Sequence, residues 1–171
     1  KQHLRGKCRF LRKMNHVLHG GLDGAMTERT IKNILIANRG VPAVRIMHTC
    51  RDRKIRSTAV YSTPDRLAHH VTMADAAVHI GEAPPVESYL NMDRIIDAAL
   101  RSKADAVHAG WGFLAENAAF ARRVIDAGLT WIGPPPDVIG RLGDKIEAKQ
   151  IARAANVPVI PGIDHVTEAE Q

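Results

Sequence analysis

The chain has 171 residues, of which 45% are hydrophobic, 25% charged and 4% aromatic, the size and composition of one globular domain with an aliphatic core. Its formal charge of +6 invites a nucleic-acid reading, but Lys1, Arg5, Lys7, Arg9, Arg12 and Lys13 all precede the first acid, Asp23, and basic and acidic residues balance after Lys13. A neutral body with few aromatics argues against a nucleic-acid binder, no apolar run approaches the ~20 residues of a membrane span, and two cysteines, Cys8 and Cys50, are too few for a disulfide framework or a metal site.

Residues 1–25 read as a separate basic leader ending in Gly20-Gly21-Leu22-Asp23-Gly24, and Met26-Thr27-Glu28 resembles a natural start. The leader is expected to be an expression or translation artefact, a disordered arm or an organellar transit peptide. It lacks the apolar segment of a secretory signal. The expected setting is reducing and cytoplasmic, with the mitochondrial matrix as the alternative.

From residue 33 short apolar runs alternate with amphipathic stretches. Residues 33–37 predict a strand, followed by a turn at Asn38-Arg39-Gly40. Pro42 suits the first turn of a helix, where its missing N–H costs nothing, and Ala43, Val44, Ile46, Met47 and Cys50 form that helix's apolar stripe. Residues 57–61 predict a second strand closed by the turn Ser62-Thr63-Pro64-Asp65, and residues 76–80 a third. Beyond Pro84-Pro85, Leu90, Ile95, Ile96, Ala99 and Leu100 mark a helix. Residues 105–109 read as strand four, 117–127 as a helix with Gly128 at its C-terminal end, and 129–132 as strand five. A helix with Val138, Ile139 and Leu142 follows, then one over 145–155 capped by Asp144.

This alternation predicts an α/β fold, a Rossmann-like doubly wound parallel sheet with helices on both faces and right-handed crossovers. Ligands in such folds bind beyond the carboxyl ends of the strands. The two unusual loops, 38–41 and 110–116, both leave such ends.

Gly110-Trp111-Gly112-Phe113-Leu114-Ala115 fits the loose G-x-G-x-x-G/A dinucleotide pattern. It follows the fourth strand rather than the first, however, and the next strand ends in Trp131-Ile132-Gly133 without the expected acid. The loop read whole, His108-Ala-Gly-Trp-Gly-Phe-Leu-Ala-Glu-Asn117, admits close backbone approach at its glycines, and Glu116 lies near a helix N-terminus. A tight turn with a capping acid is the plainer alternative.

Read whole, this loop resembles the H-P-G-Y-G-F-L-S-E-N loop of biotin carboxylases. Three further blocks resemble the same family in order and spacing. They are Ile34–Gly40 with Ala43-Val44-Arg45; Ser88-Tyr89-Leu90-Asn91; and Trp131–Pro134 with Gly143-Asp144-Lys145 and Pro158–Gly162. The resemblance implies a pre-ATP-grasp domain over 26–162, with 163–171 beginning a linker to an ATP-grasp domain. It implies a ligase chemistry that uses ATP, Mg2+ and bicarbonate to carboxylate biotin on a biotin carboxyl carrier protein, with a carboxyltransferase downstream. It makes Lys145 the expected ATP-phosphate contact and sets Gly110, Trp111, Gly112, Phe113 and Glu116 beside the biotin and bicarbonate pocket.

Arg39 and Arg45 are candidates for a domain or dimer contact or for plain surface charge. His48 stands where bacterial members often carry a dimer-interface arginine, so a homodimer is an open expectation. His108 reads as a hydrogen-bonded structural histidine rather than a proton shuttle. His69-His70 lacks a third ligand, so no protein-held metal is expected. The chain departs from the family pattern at Val41-Pro42, in place of Glu-Ile, and at Ala109, in place of proline. No phosphate-covering glycine-rich loop follows, so the 171 residues alone are expected to be inactive. A stand-alone nucleotide-binding or regulatory module is the first alternative reading, and a basic-tailed nucleic-acid binder the less favoured second.

Overall fold

The computed structural model describes residues 30–161. The expectations for the leader at 1–25 and the linker at 163–171 lie outside the described residues. Five parallel strands form one sheet in the order β3-β2-β1-β4-β5. They are β1 (Asn33–Ile36), β2 (Arg56–Ser62), β3 (Ala76–Gly81), β4 (Ala106–His108) and β5 (Thr130–Trp131). Parallel strands need crossovers, and helices supply them: α1 (Gly40–Asp52), α2 (His69–Met73), α3 (Met92–Arg101), α4 (Ala118–Asp126), α5 (Pro136–Gly143) and α6 (Lys145–Ala154).

β1 lies at the centre and all four of its residues are buried. Its alternation divides the core. Ile34 and Ile36 join Ala43, Met47 and Cys50 of α1 on one face. Leu35 joins Ile95, Ala98 and Ala99 of α3 and Phe120 and Val124 of α4 on the other. Helices therefore cover both faces, and the fold is the doubly wound α/β sheet that the alternation predicts. α5 packs on α4 and α6 on α5, and no residue of α6 is fully buried.

Three expected features differ. The helix expected from Pro42 begins at Gly40, which makes Pro42 its third residue. α2 is not legible in the sequence, because a single uncapped turn with one buried residue, His70, leaves no periodicity to detect. Leu100 and Leu142 are each 52% exposed. α3 buries Ile95, Ala98 and Ala99, and Leu100 falls about 100° round the helix from Ala99.

Four helices end in one motif. Beyond α1, α3, α4 and α6, the residues with left-handed φ are Lys54 (57°), Lys103 (53°), Gly128 (79°) and Asn156 (55°). Each N–H bonds a carbonyl of the last turn, and the next residue's N–H bonds one position earlier, as in Lys54 to Arg51 (3.1 Å) and Ile55 to Cys50 (2.8 Å). This is the Schellman arrangement, which glycine or asparagine ordinarily occupies. Gly128 and Asn156 are of the types that favour it, and Lys54 and Lys103 are not. The two lysines hold a conformation that costs an L-residue about 1–2 kcal/mol.

Candidate functional site

The strand order runs outward in both directions from β1 and β4, so the topological switch point lies between them. Ligands of open α/β sheets bind there, outside the strand carboxyl ends. The loops after β1 and β4 meet at this point through Asn38, which is 2% exposed. Its Nδ2 donates to the carbonyls of Ala109 (2.6 Å) and Trp111 (2.8 Å), and its Oδ1 accepts from the Arg39 N–H at 2.8 Å. One side chain thus satisfies three backbone groups that no strand could reach.

The second loop needs its glycines for different reasons. Gly110 has φ +70°, and a Cβ there would lie 3.0 Å from Asn38 Nδ2. Gly112 has φ +71° with open space around it, so only its conformation excludes other residues. Phe113 takes φ 46° without that freedom, held by its packing. Its ring stacks on Tyr89, with centroids 5.2 Å apart. The Arg39 guanidinium lies 5.2 Å from the Tyr89 centroid and 5.7 Å from that of Phe113, at cation–π range of both.

Asp65 closes the cluster. Its Oδ2 accepts from Tyr89 Oη at 2.7 Å, from Ser62 Oγ at 2.9 Å and from Arg39 Nη1 at 3.2 Å. Burial opposes the charge on Asp65, but these donors and the Arg39 cation outweigh it and hold the carboxyl below its usual range. Burial and donation to Asp65 push the Tyr89 phenol upward. The segment carrying Tyr89 is pinned at both ends. Arg94 donates to the carbonyls of Ile80 and Glu87, and Asn91 caps α3 by accepting from the Arg94 N–H.

His108 ends β4. Its Nδ1 accepts from the Gly110 N–H at 3.0 Å, so Nε2 carries the proton. Burial holds its pKa below the ordinary value, which keeps the ring neutral.

Gly110, Trp111, Gly112, Phe113 and Arg39 therefore converge at the switch point. Trp111 is 61% exposed and projects apolar surface from the loop. Arg39 is engaged inside the domain. Glu116 is exposed one residue before Asn117, and Asn117 is the side chain that caps α4, accepting from the Phe120 N–H. Arg45 and His48 are exposed on α1, at the four- and seven-residue spacing from Val41 that places them on one helical face. Lys145 is the exposed first residue of α6. Asp144 takes the N–H groups of Ile146 and Glu147 at 2.8 and 2.9 Å, so the ammonium group itself is the positive feature offered at that end. No hydrogen bond or ion pair joins Lys145 to the switch-point cluster among the described residues.

Sequence reasoning does not single out Asn38, Ser62, Asp65 or Tyr89 as a set. Asn38 and Asp65 read as turn residues, and Tyr89 carries a signal only as part of Ser88-Tyr89-Leu90-Asn91.

Residues 30–139 match the family model described as biotin carboxylase, N-terminal domain. The chain belongs to that family. The alpha3 subunit of a biotin-dependent acyl-coenzyme A carboxylase from Mycobacterium leprae is 51% identical over 142 residues, covering 82% of this chain and 24% of that protein. A biotin carboxylase from Halalkalibacterium halodurans is 50% identical over 133 residues, covering 78% of this chain and 29% of that protein. Among solved structures, the biotin carboxylase domain dimer of Hydrogenobacter thermophilus 2-oxoglutarate carboxylase, in complex with MgADP, ADP and bicarbonate, aligns with a TM-score of 0.74 at 42% identity. That alignment covers 80% of this chain and 30% of that one. The chain spans less than a third of the length of these relatives. The stacked Tyr89–Phe113 pair and the Asn38 clasp thus lie within the matched biotin carboxylase N-terminal domain.

Proposed function

We propose that this domain forms the N-terminal part of a biotin carboxylase, in which bicarbonate is activated by ATP as carboxyphosphate and a ureido nitrogen of biotin is carboxylated on a carrier protein. The observation that carries the reading is the junction of two family-matched loops, 38–41 and 110–116, at the switch point of the sheet. Trp111 then presents an apolar wall to biotin. Gly110 and Gly112 let the backbone approach bicarbonate and biotin, and Glu116 borders the pocket. Arg39 acts indirectly, by holding Phe113 and Tyr89 in place. Lys145 serves as a mobile point charge for ATP phosphates.

Mg2+ in this reading arrives with ATP. The partners in this reading are an ATP-grasp domain of the same enzyme, a biotin carboxyl carrier protein and a carboxyltransferase. A second copy would meet Arg45 and His48. Among the described residues, no helix is long and apolar enough to cross a membrane.

A hybrid tests the reading. Residues 30–161 replace their counterpart in the Halalkalibacterium halodurans biotin carboxylase, and bicarbonate-dependent ADP formation is measured with free biotin. Retained turnover supports the reading, and a folded but inactive hybrid overturns it. Within the hybrid, Lys145→Ala should raise the KM for ATP roughly 10- to 150-fold, the loss of one charge-assisted phosphate contact. Arg122→Ala, on the exposed side of α4, should leave it unchanged. Equal, small effects would make Lys145 an ordinary surface lysine.

A further inference from the structure

The end of the sheet opposite the switch-point loops concentrates positive charge for which the carboxylation reading has no use. Arg51, Arg53, Lys54 and Arg56 lie within six residues where α1 passes into β2, and Arg101 and Lys103 lie where α3 passes into β4. Two cavities adjoin there, sharing Arg56. One, of about 540 Å3, is lined also by Arg51, Lys54 and Asp75. The other, of about 630 Å3, is lined by Arg101, Lys103 and four consecutive residues of β3, Ala76–His79.

Asp52, Asp75, Asp97 and Asp105 lie at the same end and offset part of this charge, four acids against these six cations. Asp75 is occupied by the N–H and hydroxyl of Ser57. Asp97 pairs with Arg101 from one turn back in α3. No carboxylate lines the larger cavity. Lys54 and Lys103 also occupy left-handed positions that glycine would fill without strain. Both lysines line these cavities, so each strained position places a cation at the same end of the sheet.

β3 ends the sheet, pairing with β2 alone among the described residues. Among the described residues, the backbone N–H and C=O groups on its outer side therefore have no strand partner and can take a further strand. No Phe, Tyr or Trp lines either cavity, so the stacking platform that single-stranded nucleic acid requires is missing.

We propose that this edge receives an extended acidic segment of a partner polypeptide, which adds as a strand to β3 and sets its carboxylates against Arg56, Arg101 and Lys103. In a strand, alternate side chains point the same way about 7 Å apart, so acids at every second position would line up on one side. The backbone ladder would supply affinity and the cations selectivity, as in other strand-addition complexes.

The test uses the intact 171-residue chain and a fluorescein-labelled dodecapeptide of alternating Glu and Val. Binding should weaken with added salt and vanish when alternate residues of the peptide are N-methylated, which removes ladder donors but keeps the charge. Arg56→Gln with Lys103→Gly should weaken binding about tenfold, and circular dichroism should show that variant folded. Unchanged affinity in the variant, or equal binding of the N-methylated peptide, would overturn the proposal. So would tighter binding of an oligonucleotide of equal charge or of vesicles containing phosphatidylserine.

Discussion

Burial is the largest influence on the pKa of both His108 and His70. Burial lowers the pKa of His108, and burial lowers that of His70 against the opposing pull of the Val60 carbonyl. Both folded-state values lie below the ordinary one, so below about pH 6.5 the unfolded chain binds more protons than the folded one. Their contribution to stability is complete above that pH and is lost as pH falls through the folded values. Asp65 adds a further loss at lower pH, since its carboxyl is also depressed. His108→Asn keeps an acceptor near the Gly110 N–H and removes one titrating group. Its urea midpoint should match the wild type at pH 7.5 and fall less on moving to pH 5.5. An unchanged fall would assign the acid sensitivity to His70 and other groups.

Between elements, single side chains decide how loops and helix ends are held. Asn38→Ala removes three hydrogen bonds at the buried junction of the β1 and β4 loops. It should destabilise the domain by about 1–3 kcal/mol, because the carbonyls of Ala109 and Trp111 lose a donor. Urea unfolding measures this, and enhanced quenching of Trp111 fluorescence by iodide would report the loosened loop. α6 offers a contrast, since it buries no residue fully and depends more on its cap. Asp144→Ala should cost that helix about 1 kcal/mol. The loss should appear as faster amide exchange at Ile146 and Glu147, with little change in global melting. A large drop in Tm would instead mean that α6 opens together with the core.

At the scale of the molecule, the described core lies on both faces of β1. Its two apolar clusters draw on residues from Ile31 to Ile132. The leader is basic and ends in glycines, so it can bury little apolar surface to offset ordering entropy. A chain beginning at Met26 should therefore melt within about 2 °C of the full 171 residues, less than the shift that about 1 kcal/mol would produce. A larger drop by calorimetry would show that the leader contributes to the fold.

Element order, apart from the single turn of α2, was legible in the sequence because it depends on local spacing. The branched run at 33–37, the amphipathic stretches and the turn residues each act within a few positions, and their alternation is enough to specify a parallel sheet wound on both faces. The ordered blocks from Ile34 to Trp131-Ile132-Gly133-Pro134 likewise pointed to the family. Tertiary structure alone decided which residues meet. Asp65 lies 26 residues from Arg39 and 24 from Tyr89, and local spacing carries no information about such a contact. A turn aspartate and a hub aspartate look the same in sequence. The left-handed lysines at 54 and 103 escape notice for a related reason: backbone conformation at a helix end follows from how the next strand must enter the sheet, and there the fold overrode the residue's own preference.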